Sequence, residues 1–361
     1  MYVNVFVPIL WIFLIFFYNV LSSQFILNNF YSSLAYHPAQ SNIEGLQHLR
    51  MNFLQYPIPA EQSWPLYPLF DKARNSIWVG DTVIDSSRIW EFSITNSSYK
   101  EYKLNKISIV TALVLDAKNM VWYLDPLLKR IGILDPNSSF KNAVYNIQTN
   151  DTIFGMAIDN KGIIWLTSPD DGRVLRFDTS SRMFEPAIQL PYSRPLGIAF
   201  DNKNSIWIAD ELGSIIRVPS ASVDAIYRYS VPPASKTILP SPTAILVTRD
   251  GNNIYISNHN DKTVTSFNAA TREFRSYKLP TSGLPFGMVM DNLGEIWIAQ
   301  HTSNESFVLD PSGGQLRKFV IPNSNPYVQW MTTDSDGDIW LAEQLAGSLG
   351  KIAVQEKITT H

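Results

Sequence analysis

The chain has 361 residues and no cysteine, which excludes disulfides, thiolate metal sites and a cysteine nucleophile. Charged residues make up 17% with a formal net charge of −3, and no basic stripe runs through the sequence, so nucleic acid is not an expected partner. Length alone would allow two or three domains, but an internal repeat overrides that prior.

In chain order, the first element is an unbroken apolar run at residues 5–17, followed by the small residues Ser22-Ser23. It fits a signal-peptide core or a short membrane anchor occupying residues 1–23. The expectation is a folded part outside the cytoplasm, extracellular or membrane-anchored, with this segment as the membrane contact if it is not cleaved. Residues 24–50 show no sustained alternation and read as a linker or a strap. Next comes Asn52-Phe-Leu-Gln-Tyr-Pro-Ile-Pro59, which resembles segments that end later units, such as Phe274-Arg-Ser-Tyr-Lys-Leu-Pro280.

From residue 51 to 354 one unit recurs. Its clearest copy is Pro285-Phe-Gly-Met-Val-Met-Asp-Asn-Leu-Gly-Glu-Ile-Trp-Ile-Ala-Gln300: an apolar strand, a turn rich in Asp, Asn and Gly, and a second strand centred on Trp297. Equivalent anchors fall at Trp78, Trp122, Trp165, Trp207, Tyr255, Trp297 and Trp340, spaced by 42 to 48 residues. Third strands such as Arg88-Ile-Trp-Glu-Phe92 and Arg130-Ile-Gly-Ile-Leu134 follow. Four short strands at that period predict an all-β, seven-bladed β-propeller. The last unit ends after Gly350-Lys-Ile-Ala-Val354 without an outer strand, so residues 53–58 are expected to close the ring on the last blade. Residues 355–361 remain as a tail. Sequons stand at Asn96, Asn137, Asn150 and Asn304, in keeping with export.

Hairpin geometry places two sets of residues at one end of the propeller, around the channel mouth. The first set starts the inner strands: Tyr67, Thr111, Phe154, Leu196, Thr243, Phe286 and Gln329. The second lies three past each anchor: Asp81, Asp125, Ser168, Asp210, Asn258, Gln300 and Glu343. From these, Tyr67, Phe154, Thr243, Phe286, Gln329, Asn258 and Gln300 are candidate ligand-binding residues. Glu343, Asp81, Asp125 and Asp210 are candidate ligands for a hard cation such as Mg²⁺ or Ca²⁺, the alternative being a polar rim. His259 and His301 follow the ring in adjacent units. With Tyr67 they are the candidate catalytic groups, although strand alternation predicts solvent-facing imidazoles. The repeated tryptophans are expected to be core.

At these residues the sequence resembles the streptogramin lyases, the virginiamycin B lyase family. The resemblance spans residues 51–354 and rests on Pro195-Leu-Gly-Ile with Ile206-Trp-Ile-Ala-Asp210, on Pro285-Phe-Gly-Met with Ile296-Trp-Ile-Ala-Gln300, and on Asp338-Ile-Trp-Leu-Ala-Glu343. It implies a seven-bladed propeller that opens a cyclic depsipeptide by elimination, using Mg²⁺ and a histidine base. Tyr67 and Glu343 match the family's tyrosine and glutamate, whereas Phe286 and Gln329 stand where it has histidines. The expected function is therefore an exported lyase-like propeller, monomeric, that binds a small-molecule or peptide-like ligand at its mouth. The alternatives are a metal-dependent lyase or lactonase with a rearranged site, and a cell-surface scaffold for proteins.

Overall fold

The computed structural model describes residues 47–49, 51–84, 87–104, 108–137, 142–149, 151–324 and 326–354. The apolar run at 5–17, most of the 24–50 segment, Asn150 and the 355–361 tail lie outside the described residues. Seven antiparallel sheets, each built on four strands, form the seven blades, and no helix occurs among the described residues. Blade 1 comprises Pro65–Asp71, Ser76–Asp81, Arg88–Ser93 and Ser98–Lys103, from inner to outer strand. Blade 6 comprises Pro285–Met290, Ile296–Gln300, Glu305–Leu309 and Leu316–Val320.

The repeat works through one side-chain device. In blade 6, Asp291 Oδ1 accepts the backbone N–H groups of Leu293 and Glu295, both at 2.9 Å, while Gly294 takes the left-handed φ of 80° that the turn needs. The other oxygen, Oδ2, accepts the indole N–H of Trp297 at 2.9 Å. The same Asp–Trp pair recurs as Asp71–Trp78, Asp116–Trp122, Asp159–Trp165, Asp201–Trp207 and Asp334–Trp340. Blade 5 differs: Thr248 takes the turn and Tyr255 replaces the tryptophan. With its polar edge satisfied, each indole can be buried, and it packs toward the next blade. Trp122, for example, lies with Ile164, Leu166 and Phe177 of blade 3. Seven such clusters fill the seven interfaces.

The ring closes as the sequence predicts. Phe53–Pro57 pairs antiparallel with Ser348–Ile352, with Phe53 opposite Ile352 and Pro57 opposite Ser348, and becomes the outer strand of blade 7. Tyr56 stacks on Trp340 at 5.5 Å, and its carbonyl accepts the hydroxyl of Tyr99 on blade 1 at 2.6 Å. The preceding residues also pair. Gln47–His48 runs parallel to the outer strand of blade 6, opposite Arg317 and Lys318, giving that blade a fifth strand. Leu49, Met51 and Phe53 then pack over the interface of blades 6 and 7. The end of the 24–50 segment is thus a strap across two blades.

Candidate functional site

The inner strands bring their first residues to the mouth through a bulge. In blade 6, Pro285 pairs with Gln300 and the next regular pair is Met288 with Ile298, so Phe286 and Gly287 share an irregular step. Blades 1 and 4 carry the same irregularity, and blade 5 a shorter one that leaves Thr243 unpaired. A bulge at a rim re-aims a side chain. Gly287 allows the close approach, because a Cβ there would lie 2.6 Å from the carbonyl oxygen of Gln329, and its N–H donates to that same oxygen at 2.9 Å.

Phe286 is only 3% exposed and forms the centre of an aromatic floor. Its ring lies 5.1 Å from Trp330, 5.3 Å from His301 and 5.4 Å from His259. It also meets Phe154 at 6.3 Å. Phe154 precedes the inner strand of blade 3, which two blades separate from blade 6 on one side and three on the other, so this contact crosses the channel. Trp330 continues the floor to Tyr67 at 5.1 Å, and His301 continues it to Tyr327 at 5.3 Å.

Tyr67 is one position off the predicted ring. Leu69 pairs with Trp78 as Val289 pairs with Trp297, so Leu66, not Tyr67, corresponds to Phe286. The cause is the longer turn of blade 1, where Asp71 and Trp78 are seven residues apart against six for Asp291 and Trp297. Tyr67 takes the position of Gly287, which in blade 7 is held by Trp330. Burial raises the pKa of its hydroxyl, so it remains a neutral phenol.

The histidines depart from expectation more sharply. They are not solvent-facing: His259 and His301 are 8% and 4% exposed, with their rings edge to face at 4.9 Å. Both lie just beyond the ends of their strands, where the chain has begun to turn and strict alternation no longer applies. Burial pushes His301 down to about 4, and burial together with repulsion from His301 pushes His259 down to about 3. Both are neutral at pH 7.

The four carboxylates do not come together. Asp81 is fully buried and accepts Arg88 Nε at 2.8 Å, Ser63 Oγ at 2.7 Å and the backbone N–H of Trp64 at 3.0 Å. Asp125 accepts Arg130 Nε at 3.0 Å and the N–H of Leu128. Asp210 accepts Arg228, Ser214 and the N–H of Arg194. Each staples the loops of its own blade with an arginine as counter-charge. Glu343 accepts Gln55 Nε2 at 2.7 Å and Ser348 Oγ at 2.8 Å, both on Oε2, while its Oε1 is buried without a hydrogen-bond partner, and burial raises its pKa. Such a donor set does not fit a shared Mg²⁺ or Ca²⁺, which needs several free oxygens around one point. Among the described residues, the acidic or imidazole trio whose ligand atoms lie within 4.8 Å of one another is Asp334, Asp336 and Asp338, in the turn of blade 7. There Asp334 holds Trp340, and Asp338 pairs with Lys351 at 2.7 Å.

The remaining ring positions are neutral. Thr243 donates to the carbonyl of Ser241, and Asn258 Nδ2 donates to Thr263 and Thr265. Gln300 is fully buried with neither amide atom partnered within the protein, His301 Nδ1 also lacks a partner, and the Gln329 side chain interacts with the hydroxyl of Tyr327. Trp330 and Tyr327 complete the floor although they belong to neither predicted set. Trp330 is a tryptophan outside the anchor series, directly after Gln329, which was the available signal.

No family model and no curated relative matches the sequence. Solved structures do. A streptogramin B lyase structure matches with a TM-score of 0.74 and 18% identity over 84% of this chain and 98% of that chain. A catalytically inactive histidine-to-alanine variant of virginiamycin B lyase from Staphylococcus aureus, solved with quinupristin, matches with 0.74 and 18% over 85% and 100%. An extracellular domain assigned to a hybrid two-component system of B. thetaiotaomicron matches with 0.68 and 13% over 85% of this chain and 40% of that one. The chain is therefore a streptogramin lyase-like propeller in fold.

Proposed function

We propose that this protein is an exported propeller that binds a small-molecule or peptide-like ligand on the aromatic floor of its channel mouth, without the elimination chemistry that its resemblance to the lyases implies. The observation that carries this reading is Phe286, which fills the centre of the mouth and touches Phe154 across the channel. A phenyl ring neither ligates nor accepts a proton, and the Gln329 amide has no useful basicity. The buried imidazoles do not replace the missing base, because conjugate acids near 3 and 4 make weak proton acceptors. The inactive histidine variant of the Staphylococcus aureus lyase supports the view that such a site depends on histidine. Export is supported by the apolar run at 5–17 and by the extracellular origin of a structural neighbour.

The test is a ligand-observed NMR screen of small ring compounds and short peptides against the wild type and Phe286→Leu. Binders lost in the variant support the mouth. If every binder persists unchanged in the variant, the proposed site is wrong. Fractionation of cells that left the full chain in the cytosol would refute export.

A further inference from the structure

The outer strand of each blade is a sheet edge, whose free N–H and C=O groups an added strand can pair. Soluble proteins guard such edges with charge, proline or cover. Blade 1 presents Lys100, Glu101 and Lys103 in Ser98–Lys103, blade 4 Arg228 in Tyr227–Ser230, and blade 5 Arg275 and Lys278 in Phe274–Lys278. Blade 3 has Glu185 and Pro186 in Met183–Gln189, and blade 6 is covered by Gln47–His48. In blade 7 the N–H of Ile58 donates to the carbonyl of Gly347 at 2.9 Å, so alternation turns Pro57 outward and leaves that edge short of a donor.

The outer strand of blade 2 has none of these guards. Asn142–Asn146, with the sequence Asn-Ala-Val-Tyr-Asn, carries no charge and no proline, and no described strand lies on its outer side. The N–H of Ile147 donates to the carbonyl of Lys129 at 2.8 Å. Antiparallel alternation then directs the backbone groups of Tyr145 and Ala143 inward and those of Asn142, Val144 and Asn146 outward. Tyr145 packs on Trp122 and Phe177 at 6.0 and 4.9 Å, whereas Val144 is 43% exposed.

Such a strand is complementary to itself. Set antiparallel about a two-fold axis at Val144, two copies place Val144 opposite Val144, Ala143 opposite Tyr145 and Asn142 opposite Asn146. The outward groups then meet in about six N–H···O bonds, and the exposed valines cover one another. An uncharged strand brings no like charges together in that arrangement.

We propose that this chain forms a two-fold dimer through the outer strands of blade 2, which joins two four-stranded blades into one continuous sheet. The proposal does not rest on the mouth. A pair of five-residue strands buries far less than the roughly 1,200 Å² of a stable interface. The dimer is therefore weak, with a Kd of about 0.1–1 mM, and the expectation of a monomer holds in dilute solution.

The test is sedimentation velocity of the full chain in a mild non-ionic detergent, at concentrations from about 10 µM to about 1 mM. A concentration-dependent dimer is expected, little changed by salt because the edge is uncharged. Val144→Lys, which sets two ammonium groups side by side at the axis, should weaken it about tenfold or more. Val144 is exposed, so this variant should melt as the wild type does. The lack of cysteine allows a second measurement. In Val144→Cys the two thiols face each other with Cα atoms about 5.5 Å apart, within disulfide reach. Mild oxidation should link this variant about tenfold faster than Leu54→Cys, placed at a residue 49% exposed on the outer strand of blade 7. A wild type that stays monomeric throughout the concentration range overturns the proposal and leaves the edge to a strand of another protein. A dimer that persists in Val144→Lys and is not linked through Val144→Cys lies elsewhere on the molecule and overturns it too.

Discussion

Acidification should weaken this fold through two residues. His259 and His301 are buried and neutral, with folded pKa values of about 3 and 4 against about 6.5 in the unfolded chain. A histidine whose folded value is depressed loses stability as pH falls below its unfolded value, because only the unfolded chain takes up the proton. At pH 5 both rings are still neutral in the native state, so the loss depends on the unfolded value alone. It comes to about 2 kcal/mol per ring between pH 7 and pH 5, or roughly 4 kcal/mol together. The assay is urea unfolding of the wild type and of the double variant His259→Phe with His301→Phe at both pH values. Asp151, raised to about 6 by its hydrogen bond with Asp171, works in the opposite direction, gaining stability as pH falls. Solvent screens it, and it is common to both proteins, so the difference between them isolates the imidazoles. Parallel pH profiles for the two proteins would refute the burial argument.

A chain starting at Ser63 should melt several degrees lower, since it loses the strand pairing, Phe53, Tyr56 and Ile58, worth roughly 4 kcal/mol or more; unchanged melting would disprove the closure. Asp291→Ala should cost about 2–4 kcal/mol by stranding the indole N–H of Trp297 and two turn amides, measured by chemical denaturation. With Mg²⁺ present, the purified protein should show no appreciable linearisation of a streptogramin B antibiotic, since general-base catalysis typically contributes about 10²- to 10⁴-fold; brisk turnover would contradict the proposed function. Phe286→His with Gln329→His should restore a trace of activity at most, because among the described residues no trio of acidic or imidazole ligands gathers at the mouth.

Most of the fold was legible because the period of the anchors and the shape of each hairpin are local properties of the chain. The Asp–Trp pair was visible too, six residues apart in the quoted copies, although Asp291 reads from sequence only as a turn former. Closure by residues 53–58 could be inferred because the last unit lacks a strand that the first end supplies. The Gln47–His48 strand could not, since two residues carry no periodicity and no other blade has a counterpart. The site was less legible for three different reasons. Counting back from Trp78 misses the extra residue in its turn and so misplaces Tyr67. Arg88 and Arg130 were evident as strand starts, yet their pairing with Asp81 and Asp125 is a cross-strand relation that no spacing rule states. The burial of His259 and His301 depends on Phe286 packing against both rings at the mouth, which only the assembled ring reveals.

The clasp that closes the ring also has a mechanical character. Phe53 and Ile352 lie opposite one another at the same end of their strands, and the N–H of Ala353 donates to the carbonyl of Asn52 at 3.0 Å. Force applied through both chain ends would therefore first lift residues 47–49 from the outer strand of blade 6 and then peel these strands apart one hydrogen bond at a time, beginning at the Asn52–Ala353 bond, instead of loading all of them in shear. A propeller tethered at one end feels no such load. Held at both ends, it would open at the blade 6 strap and the outer strand of blade 7 under modest tension and leave the four strands of blades 1 to 6 intact, so the clasp would act as the fuse of the ring.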